Sequence, residues 1–343
     1  MPELRFIYLH HNAIRKIEDG AFKDLNHLLN LYLSNNFIEE ITEFTFSGIS
    51  GTNFTWLDLS SNKIRRIAPG AFKELPVLRY LYLSNNSINE LNQDIFEGFD
   101  AERLFLDHNE IEIIGNNTFR GFEFLKVLLI SDNKLSSLTA EMFGTNLPKL
   151  LLFSVRNNSI QQLDSDLFKF TPNIEIFLIP FNKLQFLPED IFVPLKKLKE
   201  LRMQDNLIEE LTEGHIESLK SLNILWIEQN NLTFIPLNRD SFPNLKVMNI
   251  GGNPWQCACL DVVQDFLNRK NIKFIKDYYF DGQCPVCVPT YFKHCERNTD
   301  FARFAHIPET YIDSYTEQCR IKYLRNHAND RGIELKDLII HYV

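Results

Sequence analysis

No cysteine occurs in the first 256 residues of this chain, and all six fall between Cys257 and Cys319. That distribution excludes a disulfide framework running through the fold and marks one locally stapled element instead. Nowhere is there an apolar run of about 18 residues, the length a membrane-spanning helix needs. The opening Met-Pro-Glu-Leu-Arg lacks the charged and then apolar pattern of a secretory signal. A Gly-rich phosphate loop, a Gly-x-Ser-x-Gly elbow, a His-Glu-x-x-His pair and a calcium-binding EF-hand loop are all missing, so an enzyme or metal reading has no residues to name. His10, His11 and His108 fall at outward positions with no carboxylate or cysteine at ligand spacing, and are expected to be solvated. Basic excess is absent too. Of 36 Lys and Arg and 45 Asp and Glu, twelve of each follow Pro254, so the formal charge of −9 belongs to the preceding residues. An acidic array of this kind argues against nucleic acid or an anionic membrane as the main partner.

What the chain has is a repeat. Leu78-x-x-Leu81-x-Leu83-x-x-Asn86-x-Ile88 recurs eleven times, anchored on Asn12, Asn36, Asn62, Asn86, Asn109, Asn133, Asn158, Asn182, Asn206, Asn230 and Asn253, with gaps of 23 to 26 residues. The period-two alternation around Leu81 and Leu83 predicts a short strand with two inward apolar residues. One coil cannot bury that face alone, but a stack of coils can. At a sharp reversal the asparagine amide can donate to and accept from neighbouring coils, which predicts a ladder of side-chain hydrogen bonds. Ten residues after each of the first eight asparagines stands a phenylalanine: Phe22, Phe46, Phe72, Phe96, Phe119, Phe143, Phe168 and Phe192. These are expected to stack on the convex side and hold it wider than the strand side. In the ninth repeat the position is Ile216, and in the tenth the aromatic is displaced to Phe242.

This spacing, ladder and spine resemble the "typical" leucine-rich repeats of animal extracellular proteins, among them Toll- and Slit-like ectodomains and secreted insect proteins. The resemblance implies an α/β solenoid: a horseshoe with a curved parallel sheet on its concave face, an irregular or short-helical convex side, and a disulfide-stapled C-terminal cap. Residues 1–253 form the solenoid, 254–319 the cap and 320–343 an extension without a motif. Asn253-Pro254-Trp255-Gln256-Cys257-Ala258-Cys259 resembles the start of that cap, and Leu260, Val263, Phe266 and Leu267 are spaced like one face of a covering helix. The family's cap usually pairs four cysteines, first with third and second with fourth. Here Cys257, Cys259, Cys284, Cys287, Cys295 and Cys319 allow fifteen pairings, with Cys257 and Cys259 each expected to reach a downstream partner. A zinc site at Cys257-x-Cys259 and Cys284-x-x-Cys287 is the alternative. Disulfides imply an oxidising compartment. Met1 aligns with the inward Leu75 and Leu147, which suggests either a chain lacking upstream cap and leader or an open edge paired with another chain as a homo- or hetero-oligomer.

Such a fold implies macromolecular recognition, and the pattern says where. Outward strand positions carry Phe6, Tyr8, Tyr32, Trp56, Tyr80, Tyr82 and Phe105, then Leu129, Ile176, Leu178, Arg202 and Trp226. Exposed aromatics at this density suit a protein interface. A sheet of side chains lacks the deep pocket of a small-molecule or cofactor site. Sequons at Asn53, Asn85, Asn116, Asn157 and Asn231 suggest a glycoprotein. The expected function is protein binding on the concave face in immunity, adhesion or signalling. The alternative is a matrix component binding fibrillar protein or glycan.

Overall fold

A computed structural model describes residues 4–49, 53–275 and 295. Its main sheet has twelve parallel strands, each three residues long: Phe6–Tyr8, Asn30–Tyr32, Trp56–Asp58, Tyr80–Tyr82, Arg103–Phe105, Val127–Leu129, Leu152–Ser154, Ile176–Leu178, Glu200–Arg202, Ile224–Trp226, Val247–Asn249 and Lys273–Ile275. Register is constant: Leu57 pairs with Leu81, and Leu81 with Leu104. The central residue of each strand points into the coil. Leu81 and Leu83 are fully buried, whereas Tyr80 and Tyr82 on either side of Leu81 are half-buried on the outer face. Each such leucine contributes about 1.5–3 kcal/mol. The twelfth strand was not expected from the repeat, because it lies beyond the last ladder asparagine and joins the sheet through Met248↔Phe274 pairing.

The strands are short because the chain turns immediately after them. Every residue preceding a ladder asparagine, from His11 to Gly252, has φ between +51° and +67°. Eight of these eleven are His, Asn, Asp or Gly, types that tolerate the left-handed region. At Gly252 the φ of +67° is what favours glycine, since the atoms nearest an added β-carbon are the movable end of the Gln229 side chain.

The reversal places each asparagine side chain inside the stack. Asn133 Nδ2 donates to Leu106 O of the preceding coil at 3.0 Å, and to Ile130 O and Ser131 O of its own coil at 3.3 and 3.0 Å. Its Oδ1 accepts the Ile111 N–H at 2.9 Å. The same four-bond arrangement recurs from Asn36 to Asn253, as at Asn206. Asn12, on the first coil, bonds only within its own coil and is exposed.

On the convex side the rings of Phe22, Phe46, Phe72, Phe96, Phe119 and Phe143 follow one another at 6.0–6.3 Å between centroids. Strands on the opposite side repeat at about 4.8 Å. A coil thicker at its back than its front must curve toward the strands, which are therefore concave. All eight phenylalanines are buried as expected. Past Phe143 the ring contacts change, because the inward strand residue becomes aromatic: Phe143 meets Phe153 and Phe168 meets Phe177 edge-on. In the ninth repeat Ile216 lies on the helix Glu213–Ser218, and His215 takes up the aromatic contact, edge-on to Phe192 at 5.7 Å. The His215 ring accepts from the Thr212 N–H through Nδ1 and lies 2.9 Å from Pro188 O through Nε2, so its burial leaves neither nitrogen without a partner.

The helix Cys257–Arg269 closes the C-terminal end, with Leu260, Val263, Phe266 and Leu267 all buried against the last coil. Trp255 is buried and donates its indole N–H to Ile250 O at 2.8 Å. Cys259 is disulfide-bonded to Cys295, one of the downstream partnerships expected. The side chain of Cys257, together with Cys284, Cys287, Cys319, Met1 and residues 320–343, lies outside the described residues. At the other end Ile7, Leu9 and Ile14 are half-exposed, whereas their counterparts one coil on, Leu31, Leu33 and Ile38, are fully buried.

Replacing Asn133 with alanine should orphan buried groups on two coils, at about 1–3 kcal/mol each. We expect a loss of at least about 3 kcal/mol in urea unfolding for Asn133→Ala and under about 0.5 kcal/mol for Asn12→Ala. Equal losses would mean that the inter-coil bonds contribute nothing beyond the local turn.

Candidate functional site

The concave sheet presents three zones, set by what occupies the two outward positions of each strand. In the first, the rings form a continuous run of contacts across five strands. Tyr8 lies on Tyr32 at 4.9 Å and 7°, Tyr32 is 6.2 Å from Trp56, and Trp56 is 5.2 Å from Tyr80 and 4.7 Å from Tyr82. Tyr82 then lies flat on Phe105 at 4.4 Å and 7°. Register brings these rings together, since Tyr8↔Tyr32, Trp56↔Tyr80 and Tyr82↔Phe105 are direct neighbours across the sheet. Arg103 extends the stack over the Tyr80 ring at 5.8 Å. Only Phe6 and Tyr8 among them are exposed; Tyr32, Trp56, Tyr80, Tyr82 and Phe105 are half-buried. That corrects the expectation of freely exposed aromatics: parallel strands are closer together than a ring is wide, so each ring covers part of the next.

The middle zone is aliphatic at Val127, Leu129, Leu152, Ile176 and Leu178, all half-buried. Behind it Ser131 and Ser154 share a hydroxyl bond at 2.9 Å, and the Ser131 N–H donates to the Asp107 carboxylate at 2.8 Å. His108 is exposed as expected, but it has a neighbour that sequence spacing did not show. Its Nε2 lies 3.5 Å from Asp132 Oδ2, and Asp132 also accepts from Asn157 Nδ2 at 2.6 Å. Counting along the chain could not find that carboxylate, because coil stacking brings it from the next repeat. Among the described residues no group of three His, Cys, Asp or Glu could hold a metal ion.

The third zone is polar. Arg202 donates to Glu200 at 2.5 Å, and its guanidinium lies 4.0 Å over the Trp226 ring. Beside them Gln204, Asp205, Glu228, Gln229 and Asn249 are all buried. Sequence reasoning named Arg202 and Trp226 but passed over these five. The signal was weak. Two residues before the ladder asparagine, four earlier coils have the small Ser34, Ser60, Ser84 and Ser131 but four others have His10, Asp107, Arg156 and Pro180, so Gln204 and Glu228 do not stand out in that column. Burial pushes the Glu228 carboxyl up to about 7, the nearby Asp205 charge adds to this, and Asn249 and Arg202 oppose it.

Of the sequon residues, Asn53, Asn85, Asn116 and Asn157 are exposed, whereas Asn231 is half-buried and donates to Leu207 O at 3.4 Å. Asn85 and Asn157 sit on the left-handed turn at the end of their strands, beside the concave face.

A family model described as leucine rich repeat matches residues 2–54, 52–111, 148–208 and 172–232, which together make up more than half the chain. Toll-like receptor 5 of Homo sapiens is 27% identical over 154 residues, 43% of this chain and 18% of the receptor. Chaoptin of Drosophila melanogaster is 27% identical over 177 residues, 48% of this chain and 12% of Chaoptin. The chain thus spans less than a fifth of either relative. Among solved structures, a chain of the octameric complex of Latrophilin 3, Unc5D and FLRT2 superposes with a TM-score of 0.64 at 23% identity, over 86% of each chain. The APL1 leucine-rich repeat domain does so at 0.56 and 18%, over 84% of this chain and 85% of that one. At these identities the structural matches establish the fold. No helix among the described residues is long and apolar enough to cross a membrane.

Glu228 makes stability depend on pH. Its folded value of about 7 exceeds the ordinary 4.5, so the native state holds a proton that the unfolded chain releases between those values. Stability is then highest below the lower value and falls as pH rises toward the upper one. Glu228→Gln should exceed wild type by about 2–3 kcal/mol at pH 8, with the difference vanishing near pH 4. Parallel unfolding curves of both proteins at the two pH values test this, and a constant difference contradicts it.

Proposed function

Because the chain belongs to the leucine-rich-repeat family, we propose that it is a non-catalytic extracellular scaffold that binds a protein partner on its concave face, in immunity, adhesion or signalling. The observation that carries this reading is the unbroken run of ring contacts from Tyr8 to Phe105, stacked at its two ends and tilted around Trp56. Stacked rings are pre-ordered, so a partner gains contact area without having to freeze them. Their half-burial in the free protein leaves apolar edges that a flat protein surface can cover. The Cys259–Cys295 disulfide supports an oxidising, extracellular setting. A receptor among the similar proteins, and a structural neighbour that sits in a multi-protein complex, are consistent with a binding role. The acidic array disfavours the matrix reading with a sulfated glycan as ligand, because a glycan of that kind calls for basic stripes.

The test is a partner recovered by screening extracellular proteins, measured against Tyr80→Ala/Tyr82→Ala and against a convex control, Glu97→Ala/Arg120→Ala. The aromatic variant should bind at least about tenfold more weakly, since about 1.4 kcal/mol is one decade. It should also lose a little stability, at about 0.5–1.5 kcal/mol per broken ring pair. The control should bind as wild type does. Equal affinity for all three proteins would remove the aromatic zone from the binding surface.

A further inference from the structure

The polar end of the concave face holds a concentration of unmet hydrogen bonds found nowhere else among the described residues. Gln204 Oε1, Glu228 Oε2, Gln229 Oε1, and both Nδ2 and Oδ1 of Asn249 are buried without a partner at full hydrogen-bond geometry, the Asn249 amide lying only close enough to Glu228 to favour its charged form. The other coils together contribute only Trp56 Nε1 and Thr171 Oγ1. All four side chains belong to residues more than nine-tenths buried, with exposures of 7%, 7%, 8% and 1% in the same order. They are neighbours by topology. The Asp205 N–H donates to Glu228 O, the Gln229 N–H donates to Gly251 O, and Trp226 pairs with Asn249 across the sheet. Native structures leave only a few such groups unsatisfied per hundred residues, so five gathered on three consecutive coils call for a ligand or ordered water.

We propose that this cluster of unmet polar groups takes a basic side chain, lysine or arginine, from the protein partner. The inference rests on the concave-face reading above and deepens it by naming the chemistry of the partner. Four of the five unpartnered atoms are oxygens, so the site is short of donors; an ammonium supplies three and a guanidinium five. Charge points the same way. The charged groups facing Glu228 are Asp205 and Arg202, and Arg202 is already engaged by Glu200 and by the Trp226 face. A carboxylate or phosphate ligand would meet these oxygens and acids with no uncommitted cation to receive it. A cation instead favours ionised Glu228, so its binding should strengthen as pH rises through the range in which that carboxyl titrates.

The probe is N-acetyl-L-arginine amide, titrated into the whole chain while the indole N–H signals of its three tryptophans are followed by NMR, with Trp226 assigned through Trp226→Phe. Expected are a saturable shift of the Trp226 signal at pH 8, affinity about tenfold weaker at pH 6, and no shift with the uncharged N-acetyl-L-norleucine amide. Glu228→Gln, which retains the shape and should fold at least as well as wild type at pH 8, should bind about tenfold more weakly and lose the pH dependence. The proposal is overturned if the arginine probe leaves Trp226 unshifted at pH 8, if the neutral analogue shifts it equally, or if Glu228→Gln binds as wild type does. The cluster would then hold water alone. This titration does not involve Tyr80 or Tyr82, so its failure leaves the aromatic surface standing. Failure of the tyrosine variant in turn leaves the cluster to be judged by its own probe.

Discussion

One buried amide per coil carries the architecture. A three-residue strand cannot stand alone, and a chain that reverses every two dozen residues leaves carbonyls and amides at each bend that no strand ladder can reach. The asparagine side chain satisfies them for two coils at once, donating to its own bend and to the preceding one while accepting an N–H from that coil. Because each bond set spans neighbouring coils, coils cannot slide in register. The outward side chains are therefore fixed in rows, and the aromatic stack and the polar cluster both follow from that alignment. The phenylalanine spine adds the curvature that turns those rows into a concave face.

The repeat itself was legible because it is periodic at three levels: the inward leucines, the ladder asparagines and the phenylalanines ten residues on. Each level has a single physical job, and the structure gives it to the inward leucines, to the asparagines from Asn36 to Asn253, and to the phenylalanines from Phe22 to Phe143. The cap helix was legible for the same reason, through the spacing of Leu260, Val263, Phe266 and Leu267. What escaped was whatever depends on contacts between coils. The pairing of His108 with Asp132, the contact of Phe192 with His215, and the mutual cover of the concave rings all join residues about one repeat apart, where linear spacing carries no signal. The left-handed turn before each asparagine lay in plain view as a column in which eight of eleven residues are His, Asn, Asp or Gly, but it emerges only when the repeats are read down their columns rather than along the chain.

The two ends of the concave face suit different tasks. The aromatic end is pre-ordered and apolar, and in the proposed binding role would contribute area. The polar end places a carboxyl with a raised pKa and unmet acceptors in a buried setting, and in the same role would contribute selectivity, since a wrong side chain there would leave the orphaned groups unpaired. Sequons at Asn85 and Asn157 stand beside this face at the strand ends, so glycans there would limit approach from that flank.

The ladder is tested most directly by amide hydrogen exchange on the intact chain. The N–H groups of Ile111, Leu135 and Ile160 lie outside any strand of the main sheet, and their bond is to the Oδ1 of Asn133, Asn158 and Asn182 on the next coil. If those side chains hold the coils together, the three amides should exchange as slowly as the central strand amides of Leu104, Leu128 and Phe153, and should open with them as one unit. Exchange at the rate of exposed turn amides, with the strands still protected, would contradict the ladder as the constraint on which the fold depends.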